Sequence, residues 1–172
     1  MTEAYPYVGD DALRSTETER RCIRQPQDVT RWITETDQKR TGGHIVATFI
    51  IDTNELLWIA DRRSEHVTCA VGQDVLSAGE MTFAAEGDRI EVAEITNQSL
   101  GYCPRPESWP SVARALDHAG LTHPDGFTTA YTLRRCDACG MKNIVKDNHF
   151  ECGVCQAPLS HDWNFGSQQF KA

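Results

Sequence analysis

His44-Ile45-Val46-Ala47-Thr48-Phe49-Ile50-Ile51-Asp52, then Thr53-Asn54, then Glu55-Leu56-Leu57-Trp58-Ile59-Ala60-Asp61, is the stretch that decides the fold. The first run is apolar on both faces and rich in β-branched residues, the pattern of a central strand covered on both sides. Asp52-Thr53-Asn54 supplies a turn, because short polar side chains there bond their own backbone. Glu55 to Asp61 then returns as the second strand of a hairpin. An antiparallel sheet is therefore the expected centre of the chain.

Further strands are expected downstream. Val67 to Val71 reads as a short strand and Gly72-Gln73-Asp74 as a turn. In Val75 to Phe83, Gly79 marks a bulge or a close approach of another backbone, and Glu80 to Ala84 continues as strand. Glu86-Gly87-Asp88 is a hairpin turn. Along Arg89 to Thr96, Ile90 and Val92 share one face while Ala93 and Ile95 share the other, which predicts a face switch at a bulge. Helices flank this region. Pro26 near a helix start, with Val29, Trp32 and Ile33 at helical spacing, predicts a helix over 26–36. Trp109, Val112, Ala113 and Leu116 form the stripe of a second, over 108–119, with Pro110 in its first turn and Gly120 as its stop. Ser15 to Arg21 reads as a short helical piece, and Phe127 to Arg135 as a strand running into Cys136.

These elements add up to an α+β fold, a mainly antiparallel β-core with two flanking helices and a C-terminal zinc ribbon continuous with the sheet. The expected division is a polar N-terminal segment over 1–24, the α+β core over 25–135, the ribbon over 136–157, and a tail over 158–172 whose Trp163, Phe165 and Phe170 pack on the core.

The strongest chemical signal is Cys136-Asp137-Ala138-Cys139, followed after a short hairpin by Cys152-Gly153-Val154-Cys155. A two-residue spacer lets both sulfurs of a turn face one point, and two such turns supply the tetrahedral donors that Zn2+ takes. Asn143-Ile144-Val145 is the expected outgoing strand, Lys146-Asp147-Asn148 the turn and His149-Phe150-Glu151 the return. Gly140 and Gly153 suit the tight backbone around the sulfurs. Four protein ligands close the site, so the metal is structural, and His149 is a strand residue rather than a fifth ligand. The alternatives are two disulfides, which a chain without a secretion signal disfavours, and iron in the same four-sulfur geometry.

The chain has 172 residues, enough for one domain with a real core plus the ribbon, and carries a formal net charge of -8. No run reaches the length that spans a bilayer, and the first residues lack the basic and apolar regions of a signal peptide. A cytoplasmic, reducing setting is expected, in which Cys22, Cys69 and Cys103 are small buried or inert thiols. The acidic balance disfavours nucleic acid, although Arg134, Arg135, Lys142 and Lys146 make the ribbon locally basic.

One further constellation stands apart from the cysteines: Glu65-His66, then Ala78-Gly79-Glu80, then Asn97-Gln98-Ser99-Leu100-Gly101-Tyr102-Cys103-Pro104. From about His66 to Pro104 the order resembles bacterial toxin-associated domains and the plant proteins that carry an IQ calmodulin-binding motif. In those, a His precedes an alanine-glycine-acid strand start and a turn of the form Asn-x-Ser-Gly-His-Tyr-x-Pro follows. Here Leu100-Gly101-Tyr102 stands in place of Gly-His-Tyr. The resemblance implies a compact β-rich domain with a polar cleft. Read by chemistry alone, Glu80 and His66 are candidate catalytic groups, and Asn97, Ser99 and Tyr102 are candidate ligand-binding groups. Each also has a plain structural role open to it, as a solvated strand-edge acid, a loop imidazole or a turn residue.

The expectation for function is a zinc-stabilised interaction module, bacterial in type, binding a protein partner or a small polar ligand and no membrane. The alternatives are an enzyme acting on a nucleotide-like or polar substrate through a Glu80/His66 cleft, and a nucleic-acid-binding zinc ribbon protein.

Overall fold

A computed structural model describes residues 2–166. The chain divides into two compact units, Met1–Ala130 and Tyr131–Ala172. The first is α+β. Its strands are β1 (Arg20–Ile23), β2 (His44–Asp52), β3 (Leu57–Asp61), β4 (Val75–Glu86) and β5 (Arg89–Ile95), and they form one antiparallel sheet in the order β1-β3-β2-β4-β5. The second unit holds a two-stranded antiparallel sheet of β6 (Thr132–Arg135) and β7 (Lys142–Val145).

The central hairpin forms as its residues dictate. β2 and β3 pair with Phe49 opposite Ile59 and Ile51 opposite Leu57. Asp52 makes the turn: its Oδ1 accepts from the amides of Asn54 and Leu56 at 2.8 and 2.9 Å, and its Oδ2 from Trp58 Nε1 at 2.8 Å. Ile45, Ala47, Phe49 and Ile51 join Met81, Phe83, Val92 and Ile95 on one face. That face is covered by α1 (Pro26–Glu35), which buries Val29 and Trp32, and by α3 (Trp109–His118), which buries Val112, Ala115 and Leu116. Asp28 Oδ2 accepts from the amides of Arg24 and Gln25 and caps α1. On α3 the buried stripe runs through Ala115 and Ala119, and Ala113 is only half-buried. Gly120, at φ 69°, ends the helix.

β4 and β5 meet in a hairpin turn where one was expected, but Glu86 already pairs with Arg89, so the turn is only Gly87-Asp88. The expected bulge is present. Phe83 faces Val92 while Thr82 faces Glu94, so Ala93 is the extra residue and Ile95 rejoins Ile90 and Val92 on the core face.

Three local expectations differ from the structure. Val67 to Val71 is not a strand. β3 and β4 flank β2 on opposite sides, so the connection between them must cross β2 over its face. It does so as a single helical turn, α2 (His66–Cys69), with Val67 and Cys69 buried. Ser15 to Arg21 is not a helical piece: a 3-10 turn occupies Asp11–Ser15 and Arg20 already belongs to β1, where Cys22 faces Trp58 and Ile23 faces Leu57. The expected strand Phe127 to Arg135 is divided. Thr129 bridges Thr96 beside the end of β5, and regular strand begins only at Thr132.

Candidate functional site

In the second unit both cysteine pairs sit in equivalent turns. Gly140 N–H donates to Cys136 O at 2.8 Å, and Gln156 N–H donates to Cys152 O at 3.0 Å. Cys136 N–H reaches Met141 O at 2.8 Å, and Cys152 N–H reaches Ala157 O at 2.8 Å. The two knuckles thus repeat one backbone pattern, with Gly140 (φ 76°) and Gln156 (φ 62°) in the same left-handed position. The position equivalent to Gly140 therefore holds a side chain. At Gly153 a Cβ would meet only Asn143 Oδ1, at 3.8 Å. Backbone conformation at Gly140, rather than crowding near the sulfurs, is what asks for glycine.

The hairpin between the pairs also differs from expectation. Asp147 and Asn148 make the turn, both at positive φ, but β7 pairs with β6 and not with His149-Phe150-Glu151. The return segment pairs onward: Glu151 bridges Pro158, and Leu159 N–H donates to Phe150 O at 2.9 Å. Each knuckle therefore closes its own hairpin.

The four sulfurs of Cys136, Cys139, Cys152 and Cys155 all lie within 4.8 Å of one another. Cys136 and Cys155 are 3.5 Å apart and Cys139 and Cys152 3.6 Å. A zinc–sulfur bond of about 2.3 Å in a tetrahedron sets its sulfurs about 3.8 Å apart, whereas a disulfide needs about 2.05 Å. The arrangement fits a bound ion and not cross-links. Amides point at the sulfurs as well. Cys155 and Val154 N–H groups hold the Cys152 thiol down, to about 6, and Asn143 Nδ2 approaches the same sulfur at 3.5 Å. The four thiols can hold a metal ion, and the all-sulfur donor set suits zinc or iron. Cys136 and Cys152 are buried with Leu159 in a small cluster, while Cys139 and Cys155 are exposed, as is Val154. His149 is exposed, lies 3.8 Å from Glu151 and is not part of the sulfur cluster.

Arg134 and Arg135 are engaged within this unit. Arg134 donates to the carbonyls of Leu133, Ser160 and His161. Arg135 lies over the Phe165 ring at 5.5 Å, and Asn164 exchanges two hydrogen bonds with its backbone. Phe150 stacks on His161 at 4.1 Å, and Trp163 lies 5.8 Å from the buried Phe165. Phe170 falls outside the described residues.

In the first unit the 97–104 segment is fastened inward. Asn97 is buried and its Nδ2 donates to Pro104 O at 3.0 Å. Buried Ser99 accepts from the Tyr102 amide, and Tyr102 donates its hydroxyl to Gln73 O at 2.7 Å. Burial pushes the Tyr102 phenol far up. Cys103 is buried with its sulfur against Leu100 O, and burial raises the Cys69 thiol to about 12. Cys22 is half-buried.

Gly79 is what lets this segment approach. A Cβ there would stand 1.9 Å from Thr96 O. Thr96 N–H donates to Glu80 O at 2.9 Å and Glu80 N–H to Thr96 Oγ1 at 3.3 Å. His66 Nε2 and Gly79 O are 2.9 Å apart, and burial holds the imidazole below its ordinary range, opposed by that hydrogen bond. Glu80 is half-buried and its carboxylate enters no ion pair or hydrogen bond among the described residues. The structure thus brings His66 and Glu80 to either end of the Gly79–Glu80 peptide and places Asn97, Ser99 and Tyr102 in the internal bonding of the neighbouring segment. The signal missed in the sequence is Thr48, whose buried hydroxyl donates toward the carbonyls of Arg62 and Ser64 and fastens the loop that carries His66. A polar residue inside the apolar run Ile45 to Ile51 was its only trace.

Comparison with family models, with curated proteins and with solved structures found no match. No helix among the described residues is long and apolar enough to cross a membrane.

Proposed function

We propose that the chain is a zinc-stabilised interaction module, in which the ribbon is a folding device and the β-core meets a protein partner or a small polar ligand in a cytoplasmic setting. The clustering of four thiol sulfurs in two matched turns carries the reading. The donor set is complete without water, which supports a structural rather than a catalytic ion. All seven cysteines are free, as a metal-binding thiol set in a reducing compartment requires.

The enzymatic alternative has less support. Asn97, Ser99 and Tyr102, the groups that would orient a substrate, are spent on internal hydrogen bonds. A nucleic-acid role is weakened in the same way, since Arg134 is committed to carbonyls within its own unit and the net charge is -8.

Two measurements on one preparation test the reading. Elemental analysis is expected to find one zinc per chain, with none of the visible absorption of an iron–thiolate centre. A thermal-shift screen of polar metabolites and candidate partner proteins is expected to find a stabilising ligand, since one at a hundredfold its dissociation constant adds about 2.7 kcal/mol. A metal-free, stably folded ribbon would sink the zinc half of the proposal. Turnover of any screened compound would replace the interaction half with an enzyme.

A further inference from the structure

His66 and Glu80 share more than a neighbourhood. A carbonyl oxygen accepts only, so the 2.9 Å contact with Gly79 O places the ring proton on Nε2 and leaves Nδ1 as a lone pair. Nδ1 makes no hydrogen bond among the described residues, and His66 is half-buried. Glu80 faces Thr48 across the β2–β4 ladder, and residues directly opposite in such a ladder point to the same side. Thr48 holds the carbonyls of Arg62 and Ser64 on that side, so the loop entering His66 lies over the face from which Glu80 projects. The result is two acceptors on one side of β4, a neutral imidazole nitrogen and an unpaired carboxylate.

We infer that His66 and Glu80 form an acceptor site for a small organic cation bearing N–H donors, an alkylammonium or guanidinium group. The inference rests on the ligand-binding half of the reading proposed above and names its site. Two acceptors and one negative charge call for a ligand that donates and is positive. A metal ion fits less well, because protein-held metal sites of this type use three or more side chains. The only such group of His, Cys, Asp and Glu among the described residues is the cysteine cluster. The formal charge of -8 draws cations to the molecule generally. Depression of the imidazole by burial is consistent with its neutral form at pH 7.

The test uses the zinc-loaded chain, nitrogen-15 labelled at histidine, titrated with arginine amide as probe. The free protein is expected to show the Nε2–H tautomer at His66. The probe is expected to shift the His66 Nδ1 resonance saturably and to leave exposed His149 unmoved. Glu80→Gln is expected to weaken binding at least about tenfold, the scale of one charged hydrogen bond, while the tautomer signature persists. Should that variant not fold, the unsubstituted protein decides: arginine amide must slow acylation of His66 by diethyl pyrocarbonate without slowing that of His149. An absent or unsaturable shift, an unchanged affinity in folded Glu80→Gln, or acylation unaffected by the probe overturns the site. So does selective broadening of His66 by Mn2+ with no response to arginine amide. Zinc content is read on the same sample, so failure here is distinct from failure of the ribbon.

Discussion

Replacing Gly79 by alanine tests the close crossing that brings the Thr96–Asn97 backbone against β4. The new methyl carbon would stand 1.9 Å from Thr96 O, 2.7 Å from Thr96 C and 3.1 Å from Asn97 Cα. Non-bonded carbons rest at about 3.5–4.0 Å, and every atom in the way is backbone, so no rotamer change relieves the overlap. The chain must part by more than 1 Å, roughly, at a core face packed to crystal density. Overpacking of this kind costs about 1–3 kcal/mol. Parting also breaks the Thr96-to-Glu80 amide bond and the Glu80-to-Thr96 hydroxyl bond, at about 0.5–1.5 kcal/mol each. The sum is about 2–6 kcal/mol, a large part of the stability of an ordinary domain. Urea unfolding of Gly79→Ala against the parent protein measures it, with Gly126→Ala as control. Gly126 has nothing within 4 Å of a built Cβ, and its substitution is expected to stay within about 0.5 kcal/mol. A loss below about 1 kcal/mol, with the Thr96 amide still protected from exchange, would refute the crossing.

Three other outcomes are expected. Stripping the metal with a chelator is expected to remove amide protection across 132–159 and to leave the five-stranded sheet protected, because two of the three buried residues clustered at the ribbon's sulfurs, Cys136, Cys152 and Leu159, are themselves metal-site cysteines; hydrogen exchange reads this, and joint unfolding of both units would contradict it. His66 is depressed in the fold relative to its ordinary 6.5, so the unfolded chain binds more protons as pH falls below that value. Stability present above pH 6.5 should decline through the slightly acidic range, and His66→Asn should flatten that slope in denaturant titrations; an unchanged slope sinks the assignment. Among the thiols outside the ribbon, half-buried Cys22 should react with iodoacetamide first, with Cys69 protected by burial and a thiol raised to about 12; peptide mapping that finds Cys69 modified first in native protein would show the core to be open there.

What was legible in the chain was what one stretch could express alone. The apolar run of His44 to Asp52 with its return strand, the helical stripe around Trp109 to Leu116 and the Cys-x-x-Cys pairs each carry their own instruction, and each element formed, with Ala115 in place of Ala113 on the buried side of the helix. What was not legible depended on a neighbour far away in sequence. Arg20–Ile23 is charged and helix-compatible, and becomes a strand because Cys22 and Ile23 find Trp58 and Leu57 on the edge of β3. Val67 to Val71 has strand-forming residues, but the order of the sheet leaves them no slot and lays them across β2. In the ribbon, strand pairing passed to β6 and to the 157–159 segment because each cysteine turn closes locally. At the candidate site, the residue types were visible but not their commitments. Nothing in Asn97, Ser99 or Tyr102 as letters tells whether their polar atoms face a ligand or their own loop.

The repetition of one backbone pattern in the two cysteine turns has a kinetic consequence. The backbone of each half-site closes within a few residues, so each Cys-x-x-Cys turn can form before the other half arrives. An incoming ion can be caught by one pair, and capture is finished when the intervening stretch swings round, a closure of about 10–100 ns for a segment of some ten residues. The same sequence runs backwards on release. Cys139 and Cys155, the outward members, are the ones a competing acceptor meets first, so a chelator is expected to loosen the ion one grip at a time before the surrounding strands come apart.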